Sequence, residues 1–401
     1  MTNIREYIKK KEKRKEKKQE DSFSKKILRH RVMIAYRVIL IIAVVAAAAA
    51  VVIVQTKNRV FAGYQTTVSV PWEHIDGSET VAFDKEILVY SHDGASCMNA
   101  SGEVLWNQTF EMQEPILSMC RNVAAIGDYN GSSIYVMSTE KTLGEIDTKM
   151  PIRDFAVSAN GIVAAVLDDT AGVTWIYLFD SSGNALAYFK TTMKDSGYPV
   201  CVTISDEGYL VGVSYLYMDN GTMRSSVAFY NFGPVGQNEI DNFVSSYDYI
   251  DTVVPLVQFI NNGQAIAVAD NRLVFFEGDQ KPVSIADVLL DGEIEGVYYG
   301  NGYAALVYND VTGNALYKVD IYSDDGKLAD TVMLDMQFSD ILFHKEKMIA
   351  YSEQECLVHT IAGMDNYNGK FDKQVLTLIP METAYQYVIV TSDSIETIEL
   401  Q

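Results

Sequence analysis

Residues 152–192 have the sequence IRDFAVSANGIVAAVLDDTAGVTWIYLFDSSGNALAYFKTT, and this stretch decides the fold. It contains four apolar runs that suit short β-strands, at residues 152–160, 162–169, 173–180 and 185–192. Polar turns separate the runs, among them Asn160-Gly161 and Ser182-Gly183, and such pairs supply the positive φ angles that tight hairpins need. Four short antiparallel strands joined by tight turns predict one blade of a β-propeller.

The same pattern recurs along most of the chain. Similar units begin near Glu79, Ile116, Ile152, Val200, Leu256, Gly296, Asp340 and Thr383. The spacing of these starts is close to the roughly 40–50 residues of a propeller blade. The last unit holds only two or three strands, and residues 66–72 can supply the missing outer strand from the other end of the domain, which would close the ring. We therefore predict an all-β, eight-bladed propeller, with a seven-bladed ring and an array of β-sandwiches as alternatives.

One turn resembles a known propeller motif. Residues 101–106, SGEVLW, are similar to the second half of the Ala-x-Asp-x-x-Thr-Gly-x-x-x-Trp docking motif of quinoprotein-like propellers. Gly102 and Trp106 match that motif, whereas Ser96 and Met98 stand at its Ala and Asp positions. The resemblance implies that Gly102 and Trp106 dock one blade on another, and it does not carry over a quinone cofactor. The layout of the whole chain also resembles uncharacterised single-span membrane proteins of Gram-positive bacteria.

A long apolar segment precedes the repeats. Residues 38–56 are 19 consecutive uncharged residues, and as a helix they would reach about 28 Å, close to the thickness of the hydrocarbon core. We predict an uncleaved transmembrane helix over 38–56, with a cleaved signal peptide and a soluble core helix as alternatives. Residues 1–37 carry 14 Lys and Arg, which predicts a cytoplasmic tail, a linker over 57–65 and an extracellular propeller over 66–401.

The net charge of −21 divides unevenly along the chain. Residues 1–37 carry +9, which leaves −30 for residues 38–401. Because so acidic a surface repels phosphate, we expect no nucleic-acid binding by the propeller. Basic residues next to the predicted span are interleaved with apolar ones, which predicts contact with anionic lipid. We interpret the cations of the tail as setting the topology only, with recruitment of an acidic partner or RNA as the alternative. These membrane-proximal residues are Lys25, Lys26, Arg29, Arg31 and Arg37.

The sequence contains no familiar catalytic motif. The five histidines have no metal-ligand spacing, the four cysteines form no C-x-x-C pair, and no nucleophile elbow or phosphate-binding loop is present. We therefore predict no catalytic, metal or cofactor residues, no cofactor, and buried free thiols. The predicted function is a non-catalytic binding or scaffold module for a protein, peptide or glycan at the cell envelope. The alternatives are an envelope enzyme, either a hydrolase or a divergent quinoprotein with acidic residues in the central channel, and a single-span sensor.

The longest unit contains an apparent insertion. Ile240, Phe243, Val244 and Tyr247 follow the i, i+3, i+4, i+7 spacing of a helix face. This spacing predicts a short helix or loop packed on one face of the ring, and a partner-docking lid is the alternative.

Overall fold

The computed structural model describes residues 3–57, 59–169, 172–191, 196–383 and 385–401. The chain divides into two compact units between Arg59 and Val60. The first unit is one α-helix, α1 (Asn3–Lys57), which covers both the predicted tail and the predicted span. Within α1, side chains are described for Ile4 and for residues 6–15 and 30–47.

Helix α1 is long and apolar enough to cross a membrane. Its described apolar window, His30–Ala47, has a mean hydropathy of 1.9 and none of it is buried. The predicted span over 38–56 overlaps this window as far as Ala47, and the remaining side chains lie outside the described residues. Large apolar side chains in the window, such as Ile41 and Val45, are 61 % and 62 % exposed, so a lipid environment would remove a substantial apolar surface from water.

The second unit is an eight-bladed β-propeller, as the repeats predicted. Its described residues form eight four-stranded antiparallel sheets. Blades 1 and 2 comprise β2 (Glu79–Phe83), β3 (Glu86–Ser91), β4 (Gly94–Met98), β5 (Val104–Thr109), β6 (Pro115–Cys120), β7 (Val123–Asp128), β8 (Ser133–Ser138) and β9 (Thr142–Asp147). Blades 3 and 4 comprise β10 (Ile152–Val157), β11 (Val163–Asp168), β12 (Thr174–Phe179), β13 (Ala185–Thr191), β14 (Tyr198–Ile204), β15 (Leu210–Asp219), β16 (Thr222–Asn231) and β17 (Phe243–Ile250).

The remaining four blades complete the ring. Blades 5 and 6 comprise β18 (Leu256–Asn261), β19 (Gln264–Val268), β20 (Arg272–Glu277), β21 (Val283–Leu289), β22 (Ile294–Gly300), β23 (Tyr303–Asn309), β24 (Tyr317–Ser323) and β25 (Leu328–Leu334). Blades 7 and 8 comprise β26 (Asp340–His344), β27 (Lys347–Tyr351), β28 (Glu355–Thr360), β29 (Met364–Lys370), β30 (Val375–Pro380), β31 (Gln386–Thr391), β32 (Ser394–Leu400) and β1 (Tyr64–Pro71). The seven-bladed and β-sandwich alternatives are therefore wrong.

The ring closes through the strand predicted for that purpose. β1 pairs antiparallel with β32, with Tyr64 opposite Leu400 and Val70 opposite Ile395. The strand begins at Tyr64, two residues before the predicted start, and Phe61 of the predicted linker is buried in the cluster between blades 7 and 8. Blade 8 therefore takes three strands from the C-terminal end of the chain and its outer strand from the N-terminal side.

The hydrophobic core is divided among the blade interfaces. Eight clusters of buried side chains lie one between each pair of neighbouring blades, including a cluster that joins blade 8 to blade 1. Each sheet is thus covered on both faces, which explains why β11 has five consecutive apolar residues, 163–167, rather than an alternating pattern.

Two local predictions were wrong, and a third was confirmed in one of its two forms. The predicted short helix or loop after residue 238 is a loop with a 3-10 turn at Ile240–Asn242, followed by strand β17. The left-handed Asp241 and Asn242 interrupt any longer helix. The last unit begins at Val375 rather than near Thr383. The sequence of residues 365–369, DNYNG, predicts a hairpin turn. These residues instead lie in β29, where the side chain of Tyr367 is buried in the core.

Candidate functional site

The first strand of each blade faces a central channel. The channel contains a cavity of about 1140 Å³ lined by residues of blades 1 to 6. Its wall is mixed, with apolar residues such as Leu117 and Ile260 beside polar residues such as Gln258. The side chains of Met119 and Tyr299 are 43 % and 42 % exposed within the lining, so both are accessible from the channel.

Polar side chains in the wall tie neighbouring blades together. The first strand of a blade pairs on one edge only, so its other edge carries backbone N–H groups that need partners. Val157 N–H donates to Ser118 Oγ (3.1 Å) and Phe259 N–H donates to Thr203 Oγ1 (3.2 Å), each bond joining one blade to the preceding one. The hydroxyl groups of Ser118 and Thr203 therefore stabilise the wall of the channel.

Asp154 makes a third link of this kind. It accepts hydrogen bonds from Val202 N–H (2.8 Å), on the next blade, and from Phe155 N–H (2.9 Å). Burial raises the pKa of Asp154 to about 6, although the two N–H donors act in the opposite direction. Both carboxylate oxygens are thus already engaged by the backbone.

Four carboxylates line the cavity, which is the kind of arrangement that the enzyme alternative requires. They are Asp84, Asp154, Asp206 and Asp324. Asp206 accepts from Arg121 Nε (2.8 Å) and from the Cys120 thiol (3.3 Å), so this carboxylate, like Asp154, is held by neighbouring groups. Two of the four therefore have structural partners already.

The thiols of the channel are poor nucleophiles. Burial raises the pKa of Cys120 and of Cys201 to about 12, and the neighbouring Asp206 and Asp154 respectively add to the shift. Because the thiolate is the reactive form, neither group is ionised appreciably at neutral pH. All four cysteines are free thiols, as predicted, with Cys97 and Cys356 buried and the other two half-buried.

Charged residues surround the mouth of the channel. Arg121 and Lys345 occupy left-handed turn positions (φ 53° and 56°), where Asn or Gly would fit with less strain. Lys345 donates to the carbonyl oxygen of Glu382 (2.9 Å), and the Glu382 carboxylate pairs with Lys85 of blade 1 (3.2 Å). The rim thus links blades 7, 8 and 1 across the point of closure.

Histidine supplies one further link between blades. The His359 ring lies between two carboxylates, with Nε2 at 2.8 Å from Asp330 of blade 6 and Nδ1 beside Asp365 of blade 7. Among the described ranges, no group of three or more His, Cys, Asp or Glu side chains has a geometry that could hold a metal ion.

Gly102 and Trp106 both lie at blade interfaces. Gly102 has φ 76°, and a Cβ at this position would lie 3.1 Å from Val70 Cγ1 on the outer strand of blade 8. Trp106 is 9 % exposed, and its Nε1 donates to the carbonyl oxygen of Ser138 (2.8 Å) on blade 2. The two residues therefore contact the preceding and the following blade respectively.

We expect Trp106→Phe to lower the free energy of unfolding by about 1–3 kcal/mol, because it removes a buried hydrogen bond and leaves a gap. Urea unfolding of the full-length protein in micelles would measure the change. Trp175→Phe is the matched control, since Trp175 is half-buried and its Nε1 is 3.3 Å from Asp169 Oδ2. Equal destabilisation by the two variants would contradict a docking role for Trp106.

The predicted basic residues lie on α1, in the first unit. Arg31 and Arg37 are exposed and fall inside the described apolar window. The side chains of Lys25, Lys26 and Arg29 lie outside the described residues.

A second half-buried carboxylate makes stability depend on pH. Asp340, the first residue of β26, accepts from Ile341 N–H (2.8 Å), and burial raises its pKa from 3.8 to about 6. A raised carboxyl pKa means that stability is highest where Asp340 is protonated in both states, and is lost as the pH rises from about 4 through about 6.

We expect Asp340→Asn to raise the free energy of unfolding by about 2–3 kcal/mol at neutral pH and by well under 1 kcal/mol at pH 4. Asn retains an acceptor for Ile341 N–H. Urea unfolding of the full-length protein at both pH values would measure the effect, with Asp76→Asn, at an exposed loop residue, as the control. A gain for Asp340→Asn that is the same at both pH values would contradict the assignment.

Comparison with known proteins places the chain in a family. A family model described as "Family of unknown function (DUF5711)" matches residues 57–400. The chain belongs to this family. The matched region includes the whole propeller, from β1 to the last residue of β32. A comparison with curated proteins gives no match.

Several solved structures are similar to this chain. BamB from Moraxella catarrhalis matches with a TM-score of 0.48 and 9 % identity, over 84 % of this chain and 100 % of that chain. Raptor from Chaetomium thermophilum matches with a TM-score of 0.45 and 8 % identity, over 86 % of this chain and 29 % of that chain. The Pan2 WD40 domain from Neurospora crassa matches with a TM-score of 0.43 and 10 % identity, over 72 % of this chain and 88 % of that chain.

The sequence did not reveal the polar groups of the channel wall. Asp154 follows Arg153 in a strand whose other residues are apolar, and this carboxylate is the one signal that could have been noticed. Ser118, Thr203 and the rim cations have no distinguishing sequence pattern, because their partners are on other blades.

Proposed function

We propose that this chain is a non-catalytic, membrane-anchored propeller that binds a protein, peptide or glycan at the cell envelope. The observation that carries the proposal is that some side chains of the channel are bonded within its wall while others remain accessible. Ser118, Asp154 and Thr203 are used to hold the wall, whereas Met119 and Tyr299 remain accessible within a cavity of about 1140 Å³. Such a cavity is suited to bind a ligand through its walls rather than to act on it through a free nucleophile.

The anchor and its orientation are part of the proposal. An exposed apolar helix next to 14 Lys and Arg in residues 1–37 supports a single span with a cytoplasmic N-terminus and an extracellular propeller. The tail contacts anionic lipid through Lys25, Lys26, Arg29, Arg31 and Arg37, and nucleic acid is not a partner of the acidic propeller. The domain bounds are a tail over 1–37, a span over 38–56, a linker over 57–65 and the propeller over 66–401.

From the quinoprotein-like resemblance, we propose a role in blade docking only. Gly102 and Trp106 act as blade-docking residues, and no quinone or other cofactor takes part. The resemblance of the overall layout to single-span proteins of Gram-positive bacteria supports the envelope location.

Site-specific photo-crosslinking in native membranes tests the binding role. A photoreactive residue at Met119, in the channel, is compared with one at Met333, on the outer strand β25; both side chains are 43 % exposed. We expect a discrete adduct of one partner from Met119 and none of that partner from Met333.

Two results would contradict the proposal. One is the same set of adducts from both positions, which would indicate random contact. The other is turnover of a small substrate by the purified protein that is lost in Asp84→Asn or Asp324→Asn, which would favour the envelope-enzyme alternative.

A further inference from the structure

A groove lies between blades 3 and 4 on the outside of the ring, away from the channel. It has a volume of about 520 Å³, and we call it the blade 3–4 groove. Its lining consists of Tyr188, Phe189, Lys190, Thr191, Ser196, Tyr230, Ile240, Asp241 and Phe243. The aromatic rings contact one another, with Tyr230 at 4.5 Å from Phe189 and at 5.9 Å from Phe243 between ring centroids. The groove therefore combines packed aromatic rings with polar groups in about equal measure.

A rigid loop forms one side of the groove. Asn231 fixes this loop, because its Oδ1 accepts from Gly233 N–H (2.8 Å) and its Nδ2 donates to the carbonyl oxygen of Gln280 (2.8 Å) on blade 5. Asn242 Nδ2 donates to the carbonyl oxygen of Asn231 (3.1 Å). Asp241 and Asn242 are both left-handed (φ 55° and 59°), and backbone strain of this kind is kept only where surrounding contacts hold it.

The loop presents an apolar side chain to solvent. Ile240 is 86 % exposed, and Phe243 and Tyr188 beside it are 42 % and 61 % exposed. A preorganised apolar surface gives up little conformational entropy on binding, which favours association. Clustered exposed apolar groups beside a groove are typical of an interaction site.

The charges around the groove favour one class of occupant. Glu239 and Asp241 are exposed on either side of Ile240, and Lys190 is the one cation among the described lining residues. A second copy of this chain would bring its own acidic loop and net negative propeller against the first. An anionic membrane surface would be repelled in the same way. A segment with Lys or Arg near an apolar side chain is complementary.

We infer that the blade 3–4 groove receives a short amphipathic segment of another protein, with an apolar side chain against Ile240 and Phe243 and a Lys or Arg beside Glu239 and Asp241. This inference rests on the proposed binding function, to which it adds a surface and a class of partner.

Peptide binding tests the inference on the full-length protein in phosphatidylcholine nanodiscs. The probe is a short fluorescein-labelled peptide of Leu and Lys, compared by anisotropy with a Leu and Glu counterpart. We expect at least about a tenfold preference for the Leu–Lys peptide, and loss of about tenfold or more in its affinity in Ile240→Asp. Val311→Asp is the matched control, because Val311 is 97 % exposed on a different loop. The affinity of Val311→Asp for the Leu–Lys peptide is expected to equal that of the wild type.

The variant separates apolar anchoring from general charge attraction. Ile240→Asp adds a negative charge, so diffuse attraction would strengthen binding, whereas a specific groove weakens it. The inference would be overturned if both Ile240→Asp and Ile240→Ser bound the Leu–Lys peptide as tightly as the wild type or more tightly. A wild-type dimer in sedimentation that Ile240→Asp dissociates would also overturn the inference, because it would make the occupant a second copy. A Met119 adduct without peptide binding would leave the proposed function standing and remove this inference alone.

Discussion

A single cut in the loop between β1 and β2 is expected to leave the propeller attached to the membrane fraction. A specific protease site inserted between Asp76 and Gly77, which are exposed, separates α1 and β1 covalently from residues 77–401. The pieces should remain together because β1 keeps seven register pairs with β32 and Phe61 stays buried in the core between blades 7 and 8. Sedimentation of membranes after the cut, with the propeller detected in pellet or supernatant, measures the result.

Two neighbouring substitutions in β1 test whether the packing of this strand retains the cut propeller. Val70 faces Gly102 of blade 1, so Val70→Asp places a carboxylate in a blade interface, where an unpaired charge is costly. Ser69 is exposed, and Ser69→Asp should have little effect. We expect the cut propeller to be released from Val70→Asp membranes and retained in Ser69→Asp membranes. Release of the cut wild-type propeller into buffer would contradict closure of the ring by β1.

The second large effect concerns the turn between the third and fourth strands of a blade. Gly326 occupies this turn in blade 6, with φ 78°, and a Cβ there would overlap the Ala286 Cβ on blade 5 and lie 3.0 Å from Phe275. Gly183 has the equivalent place in blade 3, where a Cβ would lie 3.0 Å from the carbonyl oxygen of Glu145 on blade 2. Together with Gly102, these turns bring blades 1, 3 and 6 into close contact with the outer part of the preceding blade.

We expect Gly326→Ala to lower the free energy of unfolding by about 2–5 kcal/mol, the sum of left-handed backbone strain and overpacking. Gly313→Ala is the control: Gly313 has φ 75°, but nothing lies within 4 Å of its Cβ position, so only the strain of about 1–2 kcal/mol applies. Urea unfolding of both full-length variants gives the difference. Equal losses would show that the glycine is needed for its backbone angle and not for the approach of two blades.

Much of the fold could be predicted because it depends on local chemistry. Residues 174–179 form a strand because their β-branched and aromatic side chains suit a buried sheet, and Ser182-Gly183 turns because glycine tolerates the left-handed angle. The failures occur where tertiary contacts override local preference. Residues 365–369 have turn composition, yet burial of Tyr367 keeps them in β29. Ile240 follows a helix-like spacing, yet it lies in a loop fixed by Asn231.

The site was less predictable than the fold. The hydrogen bonds of the channel wall join Ser118 to Val157, Asp154 to Val202 and Thr203 to Phe259, over separations of 39, 48 and 56 residues. Such pairs are set by how blades are arranged around the ring, and no local pattern encodes them. Gly102 and Trp106 could be singled out because their motif lies within one turn and the strand that follows it.

A binding module at the cell envelope requires the propeller to lie outside the membrane, so the orientation of the chain is decisive for the proposed function. All four native cysteines have a pKa raised to about 12 by burial, so they react little with maleimide at neutral pH. Val311→Cys and Ile4→Cys place exposed thiols on the propeller and in the tail, at sites 97 % and 69 % exposed. With a membrane-impermeant maleimide, we expect labelling of Val311→Cys in intact cells and labelling of Ile4→Cys only after lysis. Labelling of Ile4→Cys in intact cells, with Val311→Cys protected until lysis, would contradict the proposed function.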